Sequence, residues 1–217
     1  MAAAAANDKP ACELYLITPP QIEDLNDFGK TLDAVLATGH VACVQLRLKD
    51  VADDRIIEAV QVLMPVCHAH EVAFILNDRA DLAADLDVDG VHIGQHDGDV
   101  RTVRTLLGHN KDIGVTCHDS THLAFEAGEA GADYVAFGAF FPTTTKETEH
   151  HPELDILTTW DEVTDLPCVA IGGITVENCG EVAAAGAHFV AVSSGVWAYP
   201  DGPVAAVNDF AKALQQA

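Results

Sequence analysis

Short apolar runs with strand character return about every 20 to 30 residues along this chain, and alanine- and leucine-rich amphipathic stretches separate them. That rhythm predicts strands at 13–17, 41–47, 72–76, 90–93, 113–115, 134–137, 168–171 and 189–192. Helices are expected at 25–37, 53–70, 79–86, 100–107, 120–130, 153–163, 176–185 and 203–215. Strands joined through helices run parallel, and parallel sheets are buried on both faces. The run Cys168-Val169-Ala170-Ile171 has the unbroken apolar character that such a strand needs. Eight units suit a closed ring, so the expected fold class is α/β, a single (β/α)8 TIM barrel. An open doubly wound sheet would carry a glycine-rich first turn, whereas the first turn here is Thr18-Pro19-Pro20.

A chain of 217 residues, 49% hydrophobic and 21% charged, supplies one barrel with an ample core. Residues 1–12 read as a flexible N-terminal tail and 13–217 as the barrel domain. The opening alanine run has neither a basic flank nor a long apolar stretch, so it resembles no export signal or membrane anchor. The six cysteines are scattered without a Cys-x-x-Cys pair, which points to reduced thiols in the cytoplasm. A formal charge of −23 repels nucleic acid and anionic membrane alike. Small anionic substrates remain admissible where the eleven Lys and Arg residues gather, and a homo-oligomer is compatible with this composition. His68 with His70, and His150 with His151, have no convincing ligand partners nearby in sequence and read as surface histidines.

In such barrels the chemistry sits at the carboxyl ends of the strands. After the second strand, Gln45, Arg47 and Lys49 alternate, so extended backbone points them to one side. Inward-facing cations are costly without an anion to meet them. Asn77-Asp78-Arg79 follows the third strand and His92-Ile93-Gly94-Gln95-His96-Asp97 the fourth. Asp78 and Asp97 together could hold a hard cation such as Mg²⁺, which takes one or two carboxylates and completes its shell with water and phosphate oxygens. Each could instead cap the helix that follows it. Thr116, Cys117 and His118 end the fifth strand, with Cys117 either a core thiol or a nucleophile beside His118. Thr143, Thr144, Thr145 and Lys146 lie in the long loop 138–151, and their hydroxyls and ammonium suit phosphate. Gly172-Gly173-Ile174-Thr175 is expected to open a helix and present N–H groups to an anion, with a tight turn as the alternative. Ser193-Ser194-Gly195 follows the eighth strand. Arg47, Lys49, Arg79 and Lys146 all fall in strand-end loops of this acidic chain, which therefore expect a polyanion.

Several ordered motifs resemble those of thiamine phosphate synthases along nearly the whole chain. They are Gln-x-Arg-x-Lys at 45–49, Asn-Asp-Arg at 77–79, Asp-Gly-Val-His-x-Gly-Gln-x-Asp at 89–97, Pro-Thr-x-Thr-Lys at 142–146 and Ala-Ile-Gly-Gly-Ile-Thr at 170–175. The resemblance implies that hydroxymethylpyrimidine diphosphate and hydroxyethylthiazole phosphate are joined, with release of pyrophosphate, by a dissociative Mg²⁺-assisted route. It further implies that Gln45, Arg47, Lys49, Asn77, Thr116 and Lys146 hold the pyrimidine diphosphate, with His92 near the pyrimidine. Asp78 and Asp97 would hold Mg²⁺. Thr143, Thr144, Thr145, Gly173, Ser193 and Ser194 would receive the thiazole phosphate. Leu48, Ala139, Cys117 and the Ser193-Ser194-Gly195 turn depart from the commoner pattern. A thiazole tautomerase using His118, or a noncatalytic thiamine-phosphate sensor, is the alternative; a tautomerase expels no pyrophosphate and would have no need of Asp78, Asp97 and the cations together.

Overall fold

The computed structural model describes residues 11–143 and 149–217. Eight strands close into a barrel in sequence order: β1 (Glu13–Ile17), β2 (Val41–Leu46), β3 (Ala73–Asn77), β4 (Gly90–Ile93), β5 (Asp112–His118), β6 (Tyr134–Phe137), β7 (Cys168–Ile171) and β8 (Phe189–Val192). Every neighbouring pair is parallel, and β8 returns to β1 through Leu14 opposite Val190 and Leu16 opposite Val192. The described helices are α1 (Leu25–Leu36), α2 (Asp53–Ala69), α3 (Ala80–Asp85), α4 (Val100–Leu107), α5 (Thr121–Ala130), α6 (Asp155–Val163), α7 (Cys179–Ala184), α8 (Ser194–Trp197) and α9 (Pro203–Leu214). The expected (β/α)8 TIM barrel is therefore the fold observed.

The continuous apolar strands divide into two cores because successive side chains point to opposite faces. Leu14, Leu16, Val44, Phe74, Val91 and Val135 belong to the large core between strands and helices. Tyr15, Ile17, Ile75, Ala136, Val169 and Ala191 fill the barrel interior. Gly90 and Gly114 leave room there. A Cβ on Gly90 would strike the Asp112 carbonyl, and one on Gly114 would occupy the Tyr134 ring.

Three departures from the expected elements have local causes. β5 runs to His118 rather than ending at Val115, since Thr116 and His118 are polar where the apolar pattern stops but continue the pairing to β6 across a register shift. α7 begins at Cys179, not at 176, because Asn178 closes a turn first: its Oδ1 accepts from the Thr175 N–H at 2.8 Å and its Nδ2 donates to the Gly173 carbonyl at 3.0 Å. The four-residue α8 sits inside what reads in sequence as the loop after β8, and Trp197 at its end donates from Nε1 to the Ile17 carbonyl at 2.7 Å. The six cysteines are thiols, and Cys67, Cys117, Cys168 and Cys179 are buried.

At the amino ends of the strands one device recurs three times. Asp89, Asp133 and His188 each stand just before an even-numbered strand and accept the N–H that begins, or nearly begins, the preceding odd strand. Asp89 Oδ2 accepts from Phe74 at 2.7 Å, Asp133 Oδ2 from Ile113 at 2.7 Å and His188 Nδ1 from Cys168 at 3.3 Å. The backbone reciprocates, with the N–H groups of Asp89, Asp133 and His188 donating to the carbonyls of Phe74, Ile113 and Cys168. Asp133 also pairs with Arg104, whose guanidinium further donates to the carbonyls of Gly108, Lys111 and Gly131. Asp133→Ala leaves the Ile113 N–H without its side-chain acceptor and the Arg104 guanidinium, whose side chain is only 13% exposed, without its carboxylate. It is expected to lower stability by about 2 kcal/mol, with Asp133→Asn costing less because it retains an acceptor oxygen. Urea unfolding of the two variants checks the order, and equal losses would show that the acceptor to Ile113 contributes nothing.

Candidate active site

The inward-facing rows of the barrel turn from apolar to polar toward their carboxyl ends. Cys43 is followed two residues on by Gln45, Ile75 by Asn77, Tyr134 and Ala136 by Gly138, and Ala191 by Ser193. The period of two thus carries each row from packed interior to cleft wall without changing face. The resulting cleft is lined by Gln45, Arg47, Asn77, Asp78, His92, Asp97, Thr116, Thr143, Gly173, Ser193 and Ser194 among others. Eleven of the residues nominated from sequence therefore meet in one place. Gln45, buried at 2% exposure, donates from Nε2 to Asn77 Oδ1 at 3.1 Å, so the two amides brace each other across β2 and β3.

The Asp78 and Asp97 carboxyls lie close enough to act on each other, and Asp97 Oδ2 accepts the Gly94 N–H at 2.9 Å. Neither caps a helix. Arg79 occupies the cap position of α3 without a side-chain bond, and Asp99 caps α4 by accepting from Thr102 at 2.9 Å. Asp78 stands at a left-handed φ of 64°, which Asp and Asn tolerate better than most residues. Burial, then the neighbouring Asp97 charge, raises its carboxyl to about 6, and Arg47 only partly offsets this. Two carboxylates pressed together in this way form a donor pair that a hard divalent cation fits. Among the described residues no group of three or more His, Cys, Asp or Glu is arranged around a metal position. An ion here would therefore draw its remaining oxygens from water and phosphate. Burial works against the Arg47 charge, with Asp78 in opposition, so this guanidinium too is set to receive an anion.

Other nominated cations lie elsewhere. Arg79 is held by Asp53 and by Asp81, the latter at 2.6 Å, which removes it from the group of strand-end cations expected to meet a polyanion. Its position after Asp78 turns it outward to α2 and α3, where the carboxylates are. Lys49 is not part of the cleft wall; its backbone N–H donates to the Pro20 carbonyl at 2.9 Å. Thr144, Thr145 and Lys146 lie outside the described residues.

The glycine pair after β7 does not open a helix. Gly172 and Gly173 have φ of 100° and 63°, and a Cβ on either would overlap the start of the loop after β6, at Ala139 and at the Pro142 carbonyl respectively. Phe140 and Phe141 donate backbone N–H groups to the carbonyls of Ile171 and Gly172 at 3.1 and 3.0 Å. The tight-turn reading of these glycines is the one observed, with the added demand of close approach by a second loop, while Gly173 still lines the cleft.

Sequence reasoning missed the support beneath the cleft. His92 Nε2 is 2.8 Å from Thr116 Oγ1 and its Nδ1 is 3.2 Å from the Tyr134 hydroxyl, which in turn lies 2.9 Å from the Tyr15 hydroxyl. Tyr15 and Tyr134 sit inside runs that read as ordinary apolar strands, and only the two-residue period could have shown that both face inward. His118 lines the cleft and stacks on His150 with ring centroids 4.4 Å apart, while His150 Nδ1 meets Asp119 Oδ1 at 2.9 Å. His68 and His70 pair with Asp89 and Asp33 on the surface. Cys117 is buried, and burial pushes its thiol up to about 12, which disposes of the nucleophile reading.

Comparison with known proteins gives a consistent result. The family model described as thiamine monophosphate synthase matches residues 14–196. A thiamine-phosphate synthase of Rhodospirillum centenum is 58% identical over 204 residues, covering 94% of this chain and 98% of that protein. One from Hyphomonas neptunium is 50% identical over 209 residues, covering 94% and 95%. The solved thiamine phosphate pyrophosphorylase of Pyrococcus furiosus superposes with a TM-score of 0.82 at 28% identity, over 94% of this chain and 96% of that one.

The carboxylate pair has a measurable signature. A carboxyl raised by folding favours the fold while protonated, and that contribution is lost as pH rises through its folded value, about 6 for Asp78. Asp78→Asn keeps the shape and the left-handed backbone while removing the charge. In chelator at alkaline pH it is expected to be more stable than the parent by about 1 kcal/mol, the figure being discounted for a partly exposed group, and to show a flatter pH dependence. Urea unfolding across pH reads this out; a variant less stable than the parent under those conditions would mean that the pair is not repulsive.

Proposed function

The chain belongs to the thiamine monophosphate synthase family and is a transferase, and from that premise we propose that its cleft joins hydroxymethylpyrimidine diphosphate to hydroxyethylthiazole phosphate, giving thiamine phosphate and pyrophosphate. What supports this most is the meeting of Arg47, the Asp78–Asp97 pair and the Ser193-Ser194 hydroxyls in one cleft of a protein whose formal charge is −23. So acidic a surface has no reason to hold a half-buried guanidinium at a strand end except to meet an anion.

In this reading Gln45, Asn77, His92 and Thr116 bind the pyrimidine, and Arg47 and Lys146 hold its diphosphate. Lys49 joins them on the family resemblance alone, since it is not part of the cleft wall. Thr143, Thr144, Thr145, Gly173, Ser193 and Ser194 receive the thiazole phosphate. Asp78 and Asp97 would hold Mg²⁺, which when bound supplies positive charge to the departing diphosphate. The bond between the methylene carbon and the diphosphate oxygen breaks with its electron pair leaving on pyrophosphate. The aminopyrimidine carries the resulting positive charge until the thiazole nitrogen donates a pair to the same carbon. Arg47 and Lys146 interact more strongly with pyrophosphate as charge accumulates on it, and that difference accelerates the step. Ile17, Ile171, Ile174, Ala191 and Val192 complete the wall with apolar surface, which keeps away the water that would otherwise capture the cation. No protein nucleophile is required.

Residues 13–217 are the catalytic unit in this reading, with residues 1–12 a tail and small phosphorylated molecules the partners. A homo-oligomer is compatible with it. Reduced thiols suit the cytoplasm, and among the described residues no helix is long and apolar enough to cross a membrane.

Incubating the protein with both substrates, with and without Mg²⁺, is expected to give equal amounts of pyrophosphate and thiamine phosphate only with the metal. Asp78→Ala and Asp97→Ala are each expected to lower turnover at least about a hundredfold with an unchanged circular dichroism spectrum, and Arg47→Ala to lower kcat/KM by a similar factor. Full activity in either aspartate variant would remove the metal assignment. Because His118 lines the cleft, thiazole tautomerisation is assayed alongside; that activity without pyrophosphate release would move the chain's chemistry to the thiazole alone.

A further inference from the structure

The hydrogen-bond chain beneath the cleft has a direction that proton counting can determine. Its members are Tyr15, Tyr134, His92 and Thr116, linked at 2.9, 3.2 and 2.8 Å in that order. It begins in the closed interior, where Tyr15 is 2% exposed, and ends at Thr116 in the cleft wall. Each tyrosine hydroxyl brings one proton and accepts on its oxygen, and a neutral imidazole brings one proton on either nitrogen. Burial raises both phenols well above their ordinary range, Tyr15 further through its tyrosine neighbour, so neither proton is given up.

Three arrangements satisfy the three links, and the one in which Thr116 donates to Nε2 while Nδ1–H and the Tyr15 hydroxyl both donate to Tyr134 leaves the Tyr134 proton without an acceptor in the chain; the other two are as follows. In the first, Tyr15 donates to Tyr134, Tyr134 donates to Nδ1 of His92, and Nε2–H donates to Thr116 Oγ1. Every proton then has an acceptor, and the Thr116 hydroxyl keeps its own proton for the cleft. In the second, Thr116 donates to Nε2, Nδ1–H donates to Tyr134, and Tyr134 donates to Tyr15. The buried Tyr15 proton is then left with no acceptor in the chain, and Thr116 has nothing to donate outward. Buried donors left unpaired are among the rarest features of folded proteins. The first arrangement is therefore the stable one.

We propose that Tyr134 is a positioning residue that fixes His92 as the Nε2–H tautomer and so makes Thr116 a hydrogen-bond donor into the cleft. The donor suits a ligand presenting lone pairs, a ring nitrogen or a diphosphate oxygen. This use of the donor rests on the assignment of the pyrimidine diphosphate to the cleft, whereas the tautomer itself does not. Tyr15 supplies the closed end of the chain but does not choose its direction: without it, His92 Nδ1 remains the acceptor for the Tyr134 proton. The packing that holds Tyr134 in place is independent of its hydroxyl, because its ring occupies the space left by the missing Cβ of Gly114.

The test separates the two tyrosines. Nitrogen NMR of ¹⁵N-histidine-labelled, ligand-free protein, followed through a pH series and assigned by the resonances lost in His92→Gln, reads the tautomer of the neutral ring. The parent and Tyr15→Phe are both expected to show a protonated Nε2 and a bare Nδ1. Tyr134→Phe is expected to show a mixture, together with a fall of about tenfold in kcat/KM for hydroxymethylpyrimidine diphosphate and little change in thermal midpoint. A protonated Nδ1 in the parent, or an unchanged tautomer in Tyr134→Phe, would overturn the proposal, and the parent spectrum alone decides it should the variant not fold. Absence of synthase turnover in the parent would instead count against the pyrimidine assignment and leave the spectrum to decide the tautomer.

Discussion

The pairing of β8 with β1 is the contact on which the rest of the molecule depends. Until that seam forms, the first and last strands each present a row of unpaired backbone groups, and the inward side chains have no enclosed space to fill. Once it forms, the interior has a fixed width, and each strand's row is placed against its neighbours to within a residue. Tyr15 reaches Tyr134 across that interior, and Trp197 ties the chain beyond β8 to the last carbonyl of β1. Thr18, just past β1 and 1% exposed, accepts the Arg47 N–H through its hydroxyl at 3.0 Å and takes a hydrogen bond from Ser193 on its carbonyl at 3.3 Å. Through this one threonine the cation end and the hydroxyl end of the cleft are held at a set separation.

Charge is organised around the same geometry. Lys30, Arg55, Arg79, Arg104, Lys111 and Lys212 are paired with carboxylates around the outside of the barrel. Apart from that of the largely buried Arg104, such exposed pairs contribute little individually, but they leave few cations to act at long range. Arg47 differs from them in being partly buried within the cleft, opposite two carboxylates that repel each other. The cleft thus holds opposed charges close together at the carboxyl ends of the strands.

The repeat of apolar strand and amphipathic helix made the barrel legible, because burial on both faces leaves a composition few other structures share. The cleft was legible as well, at Gln45, Arg47, Asn77, Asp78, His92, Asp97, Thr116 and Ser193, since each follows an apolar run and the barrel brings such positions together. What the sequence did not disclose depends on contacts between distant segments. Arg79 looks equivalent to Arg47 in the chain, yet Asp53 on α2 stands where it can capture one and not the other. Gly172 and Gly173 look like a phosphate loop, and the approach of Ala139 and Pro142, added to their positive φ, explains why no side chain fits there. Tyr15 and Tyr134 look like core, and nothing local records that their hydroxyls meet.

The recurring bonds of Asp89, Asp133 and His188 lie at the opposite end of the barrel from the cleft. Each ties an odd strand to the even strand after it, so three strand pairs are fastened where no substrate comes. Adaptation to heat or cold can therefore proceed at these positions while the residues around Asp78 and Thr116 stay untouched. The two ends of the barrel are in that sense free to evolve on separate schedules, one answering to the temperature at which the protein works and the other to the molecules it must recognise.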